Sequence, residues 1–145
     1  MKTNTIELYI HIPFCKSKCR YCDFCSFRAE ERTIHAYLGK LKEELIFWGK
    51  KLAARDVVTV FIGGGTPSYL RREDIQMICE TIFEHFHICE DAEITIEANP
   101  GTVDLKKLCT YRENGINRIS FGLQSTVKEE LEYLGRIHTY EAVSY

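Results

Sequence analysis

Two spacings of apolar residues alternate along the chain. Ile6 to Ile12 and Val57-Val58-Thr59-Val60-Phe61-Ile62 are short, nearly continuous apolar runs, the second rich in β-branched residues. Such runs predict a buried strand and a strand buried on both faces. Pro13 ends the first, because proline has no N–H to give to a ladder. Glu93-Ile94-Thr95-Ile96-Glu97 and Asn117 to Phe121 predict two further strands. Between these runs the spacing changes to three and four. Ile34, Tyr37, Leu38, Leu41, Leu45, Trp48 and Leu52 predict a long amphipathic helix over about residues 32 to 54, and Ile75, Ile78, Cys79, Ile82, Phe83 and Phe86 mark a second. A third helix, from about Val103 to Glu113, stops at Asn114-Gly115, a good C-terminal cap, and a fourth runs through Glu129, Leu131 and Leu134.

The order is therefore strand then helix, four times over, with connections of a few residues. This alternation predicts an α/β fold with parallel strands joined by right-handed crossovers, either a parallel (βα)n sheet or a segment of a barrel. No low-complexity tract, linker or sequence repeat interrupts it. Each of the four unusual stretches begins where a predicted strand ends: the cysteine-rich loop, Gly63-Gly64-Gly65-Thr66-Pro67, Glu97-Ala98-Asn99-Pro100-Gly101, and Gly122-Leu123-Gln124-Ser125. In parallel α/β folds that edge carries the ligands and catalytic groups, so the four loops are expected to converge on one site.

The cysteine loop reads Cys15-Lys16-Ser17-Lys18-Cys19-Arg20-Tyr21-Cys22. Three thiols this close in sequence point to a shared metal centre, since a disulfide between any two strands the third. Zinc and an iron–sulfur cluster both accept thiolates in tetrahedral geometry. Cys25 is near enough to complete a four-cysteine zinc knuckle, although zinc knuckles usually pair two separated doublets. If only three thiolates hold a cubane cluster, one iron stays open for a substrate or cofactor.

Gly63-Gly64-Gly65-Thr66 lets main-chain groups approach a ligand closely, but it is neither a Rossmann nor a P-loop pattern. A tight strand-to-helix turn explains it equally well. Glu97 and Gln124 stand at strand ends on one edge, where they could either cap the following helices or bind the hydroxyls of a ribose-like group. Tyr9, Tyr21 and Arg136 are weak signals taken singly. His11 is expected to be structural, and His85 and His87 to sit on a solvated helix end.

Composition changes the picture only by exclusion. Over 145 residues, 45% are hydrophobic and 28% charged, with a net charge of −2 and interspersed signs, so there is no basic stripe to recommend a nucleic acid. No apolar run is long enough to span a bilayer, and the N-terminus lacks the apolar core of a secretory signal. Seven cysteines, an odd number, fit a reducing compartment better than a disulfide framework. The expectation is a soluble, cytoplasmic protein. Cys79, Cys89 and Cys109 are isolated and given no chemistry, Cys79 serving as a small hydrophobe on a helix.

With these motifs in order, the chain resembles the radical S-adenosylmethionine (SAM) family. Cys-x3-Cys-x2-Cys with an aromatic before the third cysteine is that family's cluster motif. Gly-Gly-Gly-Thr-Pro, Glu-Ala-Asn-Pro-Gly and Ile-Ser-Phe-Gly-Leu-Gln-Ser resemble the subgroup that contains oxygen-independent coproporphyrinogen III oxidases and the haem chaperones HemW, over Leu8 to about Ala142. The resemblance implies a partial TIM-type barrel and a [4Fe–4S] cluster on Cys15, Cys19 and Cys22, with SAM chelating the fourth iron and Cys25 a bystander. It implies reductive cleavage of SAM to methionine and a 5′-deoxyadenosyl radical. By position Gly64, Gly65 and Thr66 meet the methionine part of SAM, and Glu97, Gln124, Arg136, Tyr9 and Tyr21 match SAM-contacting positions. No side chain is assigned as the catalytic one.

The implied partners are SAM, haem or a porphyrinogen, a reducing electron donor and a haem-acceptor protein. Within the subgroup, an oxidase calls for a further cysteine two residues after the third ligand, where this chain has Phe24. Cys22-Asp23-Phe24 and Leu134-Gly135-Arg136-Ile137-His138 resemble the haem chaperones instead. The family's barrel needs about six βα units and this chain supplies about four. The expectation is an N-terminal portion of a radical SAM core domain spanning residues 1–145, truncated, with the second half of the barrel and a C-terminal domain absent and a new helix starting near Ser144-Tyr145.

Overall fold

A computed structural model describes residues 4–140. The sequence from Ser144 expected to open a new helix, and Ala142 at the end of the resemblance, lie outside the described residues. The elements are β1 (Thr5–Ile12), α1 (Glu31–Lys51), β2 (Asp56–Gly64), α2 (Arg72–His85), β3 (His87–Ala98), α3 (Leu105–Glu113), β4 (Arg118–Phe121) and α4 (Lys128–Leu134), with a 3-10 turn at Pro67–Tyr69. The four strands form one sheet in the order β1-β2-β3-β4, and every neighbouring pair is parallel. The alternation read from the sequence is thus the alternation of the fold.

The core lies on one side of this sheet. Ile10 and Ile12 of β1, Val57, Val60 and Ile62 of β2, and Ile94 and Ile96 of β3 are buried against Leu38, Leu41 and Leu45 of α1, Ile75, Ile78, Cys79 and Ile82 of α2, and Tyr111 of α3. The step of three from Val57 to Val60 follows from a register shift between Val57 and Thr59, which resets which side chains face inward.

The opposite face carries Tyr9, Phe61, Glu93, Glu97 and Arg118 and is covered by no helix among the described residues. This corrects the expectation of buried strands for β1 and β2. Alternate residues of β1, namely Thr5, Glu7 and Tyr9, are exposed, and Thr59 and Phe61 of β2 are half-buried. Phe61 keeps its apolar character on an open face because its ring stacks on Tyr9, with centroids 6.1 Å apart.

Two other boundaries differ from expectation. β3 begins at His87, six residues before the apolar run, because Asp56 and Val57 of β2 pair with His87 and Ile88. His87 is therefore a strand residue, its Nδ1 lying 2.8 Å from Asp56 Oδ1. His85, the last residue of α2, is half-buried and donates from Nδ1 to the Thr81 carbonyl. The third helix ends as expected at Asn114, with Gly115 following.

Candidate functional site

The C-terminal edge of the sheet holds a cleft of about 240 Å³. Cys15, Cys19 and Cys22 line one wall. Gly64, Gly65 and Thr66 from the end of β2, Glu97 from β3, Gln124 from beyond β4, and Tyr21 and Arg136 complete it. Ten of the eleven residues singled out in the sequence meet here. The eleventh, Tyr9, sits lower on the open face of β1, 59% exposed and outside the lining of the cleft. Cys25 is also outside the lining, and its thiol is exposed.

The glycine run is shaped by the cysteine loop it faces. Gly64 has φ of +116°, and a Cβ there meets the His11 ring at 2.7 Å. A Cβ on Gly65 meets the Phe14 carbonyl at 2.8 Å and Cys15 Sγ at 2.9 Å. No real side chain tolerates such contacts, so the two loops approach this closely only because both positions lack a Cβ. Main-chain bonds then fix the approach, Gly65 N–H donating to the Ile12 carbonyl and Thr66 N–H to the Phe14 carbonyl, each at 2.8 Å.

A hydrogen-bond network joins the walls. Thr66 Oγ1 donates to Cys15 Sγ at 3.5 Å, and Asn99 Nδ2 donates to Thr66 Oγ1 at 2.9 Å. Arg136 donates to Asn99 Oδ1 at 2.8 Å, to Cys19 Sγ at 3.4 Å and to the Gly122 carbonyl, while its buried Nε–H finds no acceptor among the described residues. Glu97 Oε2 accepts from Gly64 N–H at 3.0 Å. Two of the three thiols therefore already receive a donor from a different loop, as thiolates require when they carry negative charge.

Neither Glu97 nor Gln124 caps a helix. Asp104 caps α3 by accepting from Lys107 N–H, and α4 starts after Val127. Gln124 has φ of +67°, a left-handed conformation unusual for a residue with a Cβ, and such conformations cluster at ligand sites. The Tyr21 phenol is pushed up by burial and by the Cys19 thiol, with Arg136 opposing. Tyr9 is raised by burial and by the Glu97 carboxylate.

Two contributors are not among the residues singled out from the sequence. Asn99 is the hub between Thr66 and Arg136, and the sequence marks it only as a member of the strand-end motif Glu97-Ala98-Asn99-Pro100-Gly101. His138 is buried with Nε2 3.1 Å from the Leu123 carbonyl, which ties the segment after α4 to the Gln124 loop, and burial lowers its pKa. Arg20 N–H donates to the Leu134 carbonyl at 3.1 Å, anchoring the cysteine loop to the same segment.

Four strand-end loops meeting around three thiols are the arrangement of one large superfamily of cluster-bearing α/β proteins, and residues 9–144 match the Radical SAM superfamily. This chain belongs to it. Among curated relatives it is 43% identical to the haem chaperone HemW of Escherichia coli over 95% of this chain and 37% of that protein. It is 38% identical to HemW of Bacillus subtilis over 93% of this chain and 36% of that one. Among solved structures, coproporphyrinogen III oxidase (HemN) from Escherichia coli superposes with a TM-score of 0.90 at 32% identity, covering 97% of this chain and 33% of that one. Elp3 from the archaeon Methanocaldococcus infernus, at 14% identity and a TM-score of 0.56, shares the fold.

The chain spans about a third of the length of the relatives it matches. Membership implies a [4Fe–4S] cluster and SAM, and three thiols lining one cleft are the ligand type such a cluster takes, while among the described residues no three His, Cys, Asp or Glu side chains form a group that could hold a metal ion. Three thiols share one wall, two of them hydrogen-bonded, beside a cleft rimmed by main-chain and carboxylate groups. Among the described residues no helix is long and apolar enough to cross a membrane.

Proposed function

We propose that this chain is the cluster- and SAM-binding part of a HemW-type radical SAM protein acting in haem trafficking. The observation that carries this reading is the convergence of Cys15, Cys19 and Cys22 with Gly64, Gly65, Thr66, Glu97, Gln124 and Arg136 on one cleft. In it, Cys15, Cys19 and Cys22 hold the cluster. Arg136 and Thr66, already donating to Cys19 and Cys15, offset the negative charge of the thiolates. Gly64 and Gly65 admit the amino-acid end of SAM against main chain, and Glu97 and Gln124 take its polar groups. When bound, the reduced cluster and SAM supply a one-electron source and a radical initiator. Tyr21 flanks the adenine side, and Tyr9 stands below on the open face, towards which a larger ligand would lie.

Phe24 supports the chaperone reading over the oxidase. It occupies the place where an oxidase calls for a cysteine, and it lines the cleft. Anaerobic reconstitution with iron and sulfide is expected to give a brown protein that bleaches with dithionite and binds both SAM and haem. A colourless protein holding a single zinc overturns the reading. A second reading, oxidative decarboxylation of coproporphyrinogen III, is favoured by the TM-score of 0.90 to HemN. Vinyl products from the reconstituted chain under reducing, anaerobic conditions support it, and SAM cleavage or haem binding without decarboxylation counts against it. Haem binding with no SAM cleavage marks the chain as a binding module only.

A further inference from the structure

The cysteine loop is closed at its neck by main chain. Phe27 N–H donates to the Pro13 carbonyl at 2.9 Å and Cys15 N–H donates to the Phe27 carbonyl at 3.0 Å. The Phe14 and Phe27 rings meet edge-on across it, with centroids 5.7 Å apart. Just inside this neck a side chain from β1 reaches the loop, His11 Nε2 lying 2.9 Å from the Cys25 carbonyl oxygen.

A carbonyl can only accept, so Nε2 carries a proton, and in the neutral imidazole Nδ1 is then the acceptor. Tyr9 Oη, 3.0 Å from Nδ1, is then the donor. The polarity of the chain is fixed from Tyr9 through His11 to the Cys25 carbonyl. His11 is itself held in place. Its carbonyl accepts from Tyr37 Oη of α1 at 2.6 Å, and its ring fills the space beside Gly64. The imidazole thus touches Tyr9 of its own strand, the glycine turn and the loop segment that follows the third cysteine, while the His11 main chain is tied to the helix behind.

We propose that His11 is a positioning residue for the cluster loop. By holding the Cys25 carbonyl it fixes the stretch from Cys22 to the neck, and with it the place of Cys22 on the cleft wall. The inference rests on the assignment of Cys15, Cys19 and Cys22 as ligands. It needs the main chain of Cys25 and not its thiol. A corollary concerns Tyr9: its hydroxyl proton is committed to His11, so it offers any ligand on the open face only lone pairs.

The test compares His11→Leu, His11→Asn and His11→Gln in the reconstituted chain, reading iron content, the visible spectrum and the rate of iron loss to a chelator, with circular dichroism as the control for folding. Gln can place a donor near the Nε2 position, Asn cannot reach it, and Leu offers none. His11→Gln is expected to stay close to the parent. His11→Asn and His11→Leu are expected to lose iron about tenfold faster, the scale of one lost hydrogen bond. Parent-like iron loss in His11→Asn overturns the proposal, and so does equal loss in His11→Asn and His11→Gln, whether or not His11→Leu folds. Cys25→Ala separates the two levels of inference. Full iron content in that variant supports the carbonyl contact, whereas loss of iron there makes Cys25 a ligand and overturns the three-cysteine assignment itself.

Discussion

The two sides of the C-terminal edge are held by different forces. Behind the sheet, Ile12, Val57, Ile62, Ile75, Ile78 and Ile96 are fully buried in a layer of aliphatic side chains, where each contact is weak and many neighbours share the load. At the edge, Thr66, Asn99, Arg136 and His138 are linked by single directional bonds, each with one donor and one acceptor. The first region therefore sets how stable the molecule is, and the second sets where a ligand can sit. Substitutions should separate these two properties.

Ile96→Ala should have the largest effect on stability. Ile96 is fully buried on a central strand, and a truncation of this kind costs about 3 to 4 kcal/mol, read as a fall in the urea midpoint. The iron content of the fraction that remains folded should not change. A variant that loses iron in step with stability would break the separation. Asn99→Ala should come next, at about 1 to 2 kcal/mol, because it leaves Thr66 and Arg136 each short of a partner. Its effect on SAM affinity, measured by titration of the reconstituted chain, should exceed its effect on unfolding. Combined with Thr66→Val the two should be non-additive, as members of one network are.

Cys79 gives a pH signature confined to the apolar layer. Burial pushes its thiol up to about 12 from an ordinary 9.0. The folded chain favours the neutral thiol, so this stability is fully present below pH 9 and is lost as pH rises toward the folded value. By pH 10 the loss should be about 1.4 kcal/mol in urea unfolding, and Cys79→Ala should abolish that part of the alkaline slope. The smallest effect belongs to the surface. Lys40 and Glu43 on α1 form an exposed ion pair at 2.7 Å, and Lys40→Ala should change stability by no more than about 0.5 kcal/mol and leave iron and SAM binding untouched.

Much of this arrangement was legible before the structure, for a physical reason. Strand and helix patterns are local, and once the alternation implied parallel strands, the loops at their C-terminal ends had to share an edge. That placed Cys15, Gly65, Glu97 and Gln124 together without any coordinates. What stayed hidden depends on distance between segments far apart in sequence. Asn99 became a hub only when Thr66 and Arg136 arrived from either side of it. The first half of β3 carries no strand signal because Glu90 and Asp91 are exposed and polar, and its start at His87 is fixed by main-chain pairing with Asp56.

The uncovered face is hidden from the sequence for a similar reason. Phe61 looks like a core residue in sequence, and only its stacking on Tyr9 explains an apolar ring on an open sheet. Tyr9 is the site residue that the geometry sets apart from the rest. It communicates with the cysteine loop through His11 instead of lining the cleft.

The neck of the cysteine loop bears on how the metal arrives. Pro13, Cys15 and Phe27 close the segment with main-chain hydrogen bonds that use none of the thiols, so part of the chain entropy of forming that loop is met by the main chain itself. In many small metal-binding domains the unfolded loop must be gathered by the ion, and losing the metal unfolds the protein. Here the main chain itself gathers the two ends of the loop, so a metal bound to the thiols has that much less of the chain to order.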